Sequence, residues 1–159
     1  MANRDLETWV DESAQLCRPE RIVWCDGSEE EKERLTREAL ACGDFIALDP
    51  KALPGCHLHR SHPTDVARTE KLTFICCPDR DDAGPTNNWM EPKEAYERLR
   101  SIFSGSMKRR TMYVVPFLMG PEGSPFSRAG VEITASVYVA HNMRMMTRMG
   151  KVALRHLGG

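Results

Sequence analysis

Side chains able to do chemistry gather between positions 56 and 70. Cys56, His57, His59 and His62 fall close together, and thiol and imidazole groups are the ligand types of zinc. Structural zinc sites normally take two ligand pairs separated by a folding segment, so the favoured reading of this cluster is a polar loop. Arg68 and Glu70 follow, and Arg68 taken alone reads as a surface ion-pair residue. A second place to look is Ser28 to Glu31, SEEE, after Asp26 and Gly27. A strand, turn and helix in that order is how phosphate-binding loops are built. Here Glu29, Glu30 and Glu31 satisfy the helix dipole themselves and would repel a phosphate, so a capping box is favoured, with Ser28 as N-cap and Glu31 reaching back to it. Neither G-x-x-x-x-G-K-[ST] nor G-x-G-x-x-G occurs, and there is no nucleophile elbow, H-E-x-x-H or pair of catalytic carboxylates. Six cysteines with no C-x-x-C pair read as reduced thiols, and the adjacent Cys76 and Cys77 are expected on opposite faces of a strand.

The elements that must position these groups are organised around Thr111 to Met149. Met112 to Met119 is an unbroken apolar run bounded by Gly120 and Pro121, which suits a strand buried on both faces. Pro116 within it lacks the donor a central ladder needs and is expected at a bulge or where pairing stops on one side. After the turn GPEGSP, positions 130–134 alternate with period two as the partner strand. From Val137 the apolar spacing turns helical through Met143, Met146 and Met149, with Gly150 as the end and Arg144 and Arg148 on the other face. The methionines read as flexible core filling.

Upstream, 5–17 is an amphipathic helix with Leu6, Trp9, Val10, Ala14 and Cys17 inward, and 21–25 a short buried strand. The helix after Ser28 runs to Cys42 with Leu35, Ala39 and Cys42 inward and Gly43 as its left-handed end. A strand at 45–48 precedes a loop at 49–63. Thr64 and Asp65 cap a short turn that delivers Arg68 and Glu70 to a strand at 72–77. Positions 79–88 read as a loop and 92–103 as a helix burying Ala95, Tyr96, Leu99, Ile102 and Phe103. The expected fold is α/β, one domain over 1–159, with a mixed sheet of about five or six strands flanked by helices.

Composition agrees with a soluble globular protein: 159 residues, 41 % hydrophobic and 28 % charged. A net charge of −1 argues against nucleic acid as the main partner, and Lys108, Arg109 and Arg110 read as a solvated approach to a strand. No apolar run nears the roughly 20 residues a membrane helix needs, and MANRDLETWVDE is too polar for a signal peptide. A cytoplasmic location without membrane partners is expected.

The ordered segments WCDGSEEE (24–31), DVAR (65–68) with Glu70, GPTNNW (84–89), RTMYVVPF (110–117), MGPEGSP (119–125), VEIT (131–134) and MTRMG (146–150) go further. Together they closely resemble the N-terminal region of GTP-dependent phosphoenolpyruvate carboxykinase, across nearly the whole chain. The resemblance implies an incomplete N-terminal domain of that type. It also implies a lyase that decarboxylates oxaloacetate and phosphorylates the enolate from GTP, giving phosphoenolpyruvate, carbon dioxide and GDP in gluconeogenesis. GTP and manganese or magnesium are then cofactors of the complete enzyme.

By that resemblance Arg68 binds substrate, a task suited to a guanidinium fork that holds carboxylate or phosphate by two parallel hydrogen bonds. Glu70 is either a contact for a mobile lid or a strand-entry ion-pair residue. The family's phosphate loop, metal ligands, guanine pocket and lid lie beyond Gly159. The 159 residues alone are therefore expected to bind neither GTP nor metal and to be inactive, their partners being oxaloacetate or phosphoenolpyruvate and the remaining part of the enzyme. The alternatives are a free-standing, non-catalytic dicarboxylate- or phosphoenolpyruvate-binding domain and a structural remnant without ligand. The chain departs from the family's usual residues in three places: Arg109 replaces a usual Gly, Lys71 a smaller or acidic residue, and Ala135 to Val137, ASV, a usual DSP, which removes the proline and acid before the last helix.

Overall fold

The computed structural model describes residues 4–61 and 69–158. Arg68, His62 and the Thr64–Ala67 turn expected from the sequence lie outside the described residues. Within them the chain runs α1 (Arg4–Cys17), β1 (Arg21–Trp24), α2 (Glu29–Cys42), β2 (Ile46–Ala47), β3 (His57–Leu58), β4 (Phe74–Ile75), β5 (Asn88–Trp89), α3 (Pro92–Phe103), β6 (Thr111–Met119), β7 (Arg128–Thr134), α4 (Val137–Met146), β8 (Arg148–Met149) and α5 (Lys151–Leu157). This is a mixed α/β fold. In place of one sheet of five or six strands there is a four-stranded sheet and two separate two-stranded ladders, β2 with β3 antiparallel and β4 with β5 parallel.

β6 is the spine of the main sheet. Its apolar run is buried along almost its whole length because both faces are covered, and successive side chains feed two different cores. Met112 and Val114 meet Val10 and Cys17 of α1. Tyr113 and Val115 meet Leu35 and Ala39 of α2, Val137 and Ala140 of α4, and Cys25, Phe45 and Met149. β7 pairs antiparallel along one edge from Tyr113↔Thr134 to Met119↔Arg128. The other edge is shared: β1 lies parallel over Thr111 to Val114, and β8 antiparallel over Phe117 and Leu118. Pro116 sits at the handover, so its missing donor falls where pairing stops on one side, while its carbonyl accepts from Gly150 N at 2.9 Å.

β8 corrects the expected last helix. α4 stops at Met146, where Thr147 turns extended at φ −141° and its hydroxyl donates back to Met143 O at 2.7 Å. Arg148 and Met149 are thereby freed to pair with β6. The start of α4 is intact without the family's proline and acid: Ser136 Oγ accepts from Val139 N, and Ser136 N donates to Thr134 Oγ1. The corner between β8 and α5 presses on the corner between β1 and α2. A Cβ at Gly150 would overlap the Asp26 carbonyl, and one at Gly27 would lie 2.8 Å from Met149 O, so both turns need glycine for contact as well as for positive φ.

Two apolar expectations change. β1 is an edge strand among the described residues, and Ile22 and Trp24, two apart and so on one face, are exposed on it. α3 has the expected span, yet only Ala95 is buried, and Tyr96, Leu99, Ile102 and Phe103 are exposed. Trp9 and Cys42 also face solvent. Cys76 and Cys77 lie just past the end of the short β4 rather than within a strand, exposed and half-buried respectively, so strand alternation does not govern them.

The capping box forms in altered shape. Ser28 Oγ accepts from Glu31 N at 3.1 Å, but the Glu31 carboxylate passes Ser28 and accepts from Asp26 N at 3.2 Å and Gly27 N at 2.9 Å. Asp26 takes the Ser28 amide instead, at 2.7 Å. Glu31 is 5 % exposed and pairs with Arg34 at 3.4 Å and Arg144 at 3.7 Å. Arg144, expected on the outer face, is thus drawn inward to tie α4 to α2, with a second contact to Glu29 at 3.2 Å. Burial first, then the neighbouring Glu31 charge, pushes the Cys25 thiol up to about 12.

Glu31→Ala strips two amides of their acceptor and leaves Arg144 without its buried partner. It is expected to cost roughly 3 kcal/mol, read as a lowered urea midpoint at unchanged slope. Arg109 sits at φ 61°, a left-handed conformation that a Cβ disfavours. Arg109→Gly is therefore expected to raise stability by up to about 1 kcal/mol in the same measurement, and a loss would mean that the arginine side chain contributes more than the strain removes.

Candidate functional site

Glu70–Leu72 is a single 3-10 turn closed by Leu72 N to Thr69 O at 2.8 Å and Thr73 N to Glu70 O at 3.2 Å. Glu70 is exposed on this turn. The chain then enters β4, which is brief because β5 supplies a parallel partner for two residues only. β5 comes from the GPTNNW segment, whose residues through Asn88 read from the sequence as a loop.

That segment is a brace assembled from side-chain amides. A 3-10 turn, Arg80–Ala83, starts with Asp79 accepting the Asp81 amide at 3.0 Å. Asn87 then donates to Ala83 O at 2.7 Å, closing the turn on itself. The Asn88 side chain instead reaches across to the neighbouring strand, donating to Glu70 O at 2.8 Å and Thr73 O at 3.1 Å. The Trp89 indole donates to Cys77 O at 2.9 Å. The two carbonyls that bracket the Glu70 turn are therefore held by one amide. Next to it lies an open groove of about 470 Å³ lined by Thr69, Glu70, Lys71 and Thr73 on one side and by Thr86, Asn87 and Asn88 on the other. An acid, an ammonium and hydroxyls around an open groove can meet a small charged ligand by hydrogen bonds and charge. Asn88 was not singled out in the sequence; the available signal was an asparagine pair between two short apolar runs, since loop asparagines commonly bond backbone groups.

The Cys56 to His59 cluster is used for packing. The His57 ring stacks on Phe45 with centroids 5.4 Å apart, and His59 stacks on Tyr138 at 3.7 Å. His59 Nδ1 lies 2.7 Å from Asp44 O, and because a carbonyl only accepts, Nδ1 carries the proton. Cys56 is exposed. Among the described residues, no three His, Cys, Asp or Glu side chains come together as a metal site.

His141 completes this aromatic group, edge-on to Phe45 at 5.0 Å. The Thr36 hydroxyl donates to Lys32 O at 2.8 Å, so His141 Nε2, 3.1 Å away, is the donor to Thr36 Oγ1. Nδ1 is then the bare nitrogen, and it is buried without a hydrogen-bond partner among the described residues. Burial holds the His141 pKa below its ordinary value, and the positive charges of Arg144, His57 and Lys32 act in the same direction. A histidine with a depressed folded pKa contributes stability that is complete above its unfolded value, near 6.5, and is lost as pH falls below it. The melting temperature is expected to drop between about pH 7 and pH 5, and His141→Gln to flatten that slope; equal slopes would exclude His141 as the source.

Comparison with known proteins supplies the relationship. The family model described as the phosphoenolpyruvate carboxykinase N-terminal domain matches residues 8–159. The chain is 64 % identical over 157 residues to "Phosphoenolpyruvate carboxykinase [GTP]" of Anaeromyxobacter dehalogenans (strain 2CP-C), covering 99 % of this chain and 26 % of that protein. Proteins of the same name from Corynebacterium jeikeium (strain K411) and Neocallimastix frontalis are 51 % identical over 156 residues and 49 % over 158, covering 98 % and 99 % of this chain and 26 % of each relative. The chain thus spans about a quarter of the length of the curated relatives it matches.

Proposed function

Because the chain belongs to the phosphoenolpyruvate carboxykinase N-terminal family, we propose that it is the substrate-contacting quarter of a GTP-dependent phosphoenolpyruvate carboxykinase. The observation that carries this reading is the 64 % identity to a protein of that name across 99 % of the chain. The reaction is the conversion of oxaloacetate and GTP to phosphoenolpyruvate, carbon dioxide and GDP. The groove beside Glu70 supports the reading, because it is open, polar and fixed by hydrogen bonds rather than by core packing.

In this reading Arg68 holds a carboxylate or phosphate oxygen of the substrate through two parallel charge-assisted hydrogen bonds, orienting the group that reacts. Glu70 serves as a contact for a lid that closes over the bound substrate. A divalent metal and GTP, when bound, supply charge neutralisation and the transferred phosphoryl group. The described residues do not assemble a metal site, so no step assigned to this chain runs through one. Binding and orientation are its part of the work, and the 159 residues alone are expected to be inactive.

A chimera in which this chain replaces the matching quarter of the Anaeromyxobacter dehalogenans relative tests the assignment. Arg68→Lys keeps the charge and loses the fork, and is expected to lower kcat/KM for oxaloacetate on the order of a hundredfold. Near-normal kinetics for that variant would remove Arg68 from the site.

A further inference from the structure

We propose that Asn88 is a positioning residue for the groove beside Glu70, its side-chain amide fixing the direction in which the Glu70 turn presents its carboxylate; this rests on the reading of Glu70 as a residue of the substrate site. The argument begins with donors. Glu70–Leu72 is one turn of 3-10 helix, a form whose own hydrogen bonds are poorly aligned. Thr69, which precedes it, gives no side-chain cap to this turn. The turn is followed by a strand of only two residues. The Thr73 hydroxyl donates to Thr69 O at 3.0 Å, a bond within the segment that ties it to no neighbouring element. Asn88 supplies such a tie by donating one N–H to Glu70 O at 2.8 Å and the other to Thr73 O at 3.1 Å, spanning the turn from its first residue to the residue after its last.

The geometry selects asparagine. A carboxylate at position 88 has no hydrogen to give and would set negative charge against two carbonyl oxygens, although its shape is the same. A lysine or arginine could donate but would carry charge to the rim of the groove. The backbone of Asn88 is fixed independently, because β5 pairs with β4 and the next residue, Trp89, is tied to Cys77 O. The amide is thus a rigid arm reaching to a turn with little support of its own. Asn87 makes the contrast, since its amide closes the Arg80–Ala83 turn and reaches no part of the Glu70 turn.

Two measurements test this. In the chimera, Asn88→Asp is expected to lower kcat/KM for oxaloacetate by about tenfold, the scale of losing one to two net hydrogen bonds, while Asn142→Ala, which loses only an amide bond to Tyr138 O within α4, leaves it within about twofold. In a Glu70→Gln background, Asn88→Asp is expected to add less than about twofold, because the group it positions is already altered. In the 159-residue chain itself, Asn88→Asp is expected to speed hydrogen exchange at the Leu72 and Thr73 amides at least about tenfold while leaving α2 amides unchanged. Unchanged exchange, an equal kinetic effect of the two asparagine variants, or an undiminished effect in the Glu70→Gln background would overturn the role of Asn88. If Arg68→Lys and Glu70→Gln both leave the chimera's kinetics normal, the site reading itself fails and the proposal goes with it; impairment by those two but not by Asn88→Asp would sink the proposal alone.

Discussion

A central strand needs a hydrogen-bond partner on each side, and β6 has a residue that cannot donate one. The fold resolves this at Pro116 by giving that edge to two strands in turn, parallel β1 before it and antiparallel β8 after it. Much else depends on that division. Because β8 enters only beyond the proline, α4 must stop early enough to release Arg148 and Met149, and Thr147 provides the stop. Because β1 and β8 share one edge, the turns that leave them, at Gly27 and Gly150, are forced into backbone contact. The Glu31 carboxylate then fills the remaining need at that crossing by accepting both amides of the Asp26–Gly27 corner, and its charge draws in Arg34 and Arg144.

Long signals were legible before the structure. The apolar run of β6, the helical spacing of α1, α2 and α3, the Ser28 cap and the left-handed Gly43 all follow from local preferences that tertiary contacts did not oppose. What escaped was set by partners. The extension of α4 to Met149 was plausible in spacing, but pairing with β6 offered Arg148 and Met149 a better place than another helical turn. The buried role of Glu31 was hidden because a glutamate at a helix start is ordinarily a solvated capping residue, and nothing local shows that Arg144 arrives from α4.

The candidate site divides in the same way. Arg68 and Glu70 are proposed only through a pattern shared with a family, since arginine and glutamate on a polar segment are ordinary by themselves. His57 and His59 looked like ligands by type, yet their rings serve as flat packing surfaces against Phe45 and Tyr138. Asn88 could not be found by spacing, because its partners, Glu70 O and Thr73 O, are backbone atoms that any residue would offer.

The sheet has a consequence for the order in which a ribosome delivers it. Thr111, to which the Arg21 side chain donates, follows that residue by 90 positions, and the Gly27 corner meets its counterpart only when Gly150 has been made. During synthesis α1 and α2 therefore emerge as amphipathic helices with no sheet to cover, and their apolar faces wait until β6 leaves the exit tunnel. Loop closure over such a separation is slow compared with helix formation. Slowing elongation before Thr111 would lengthen that exposure rather than help the domain to fold.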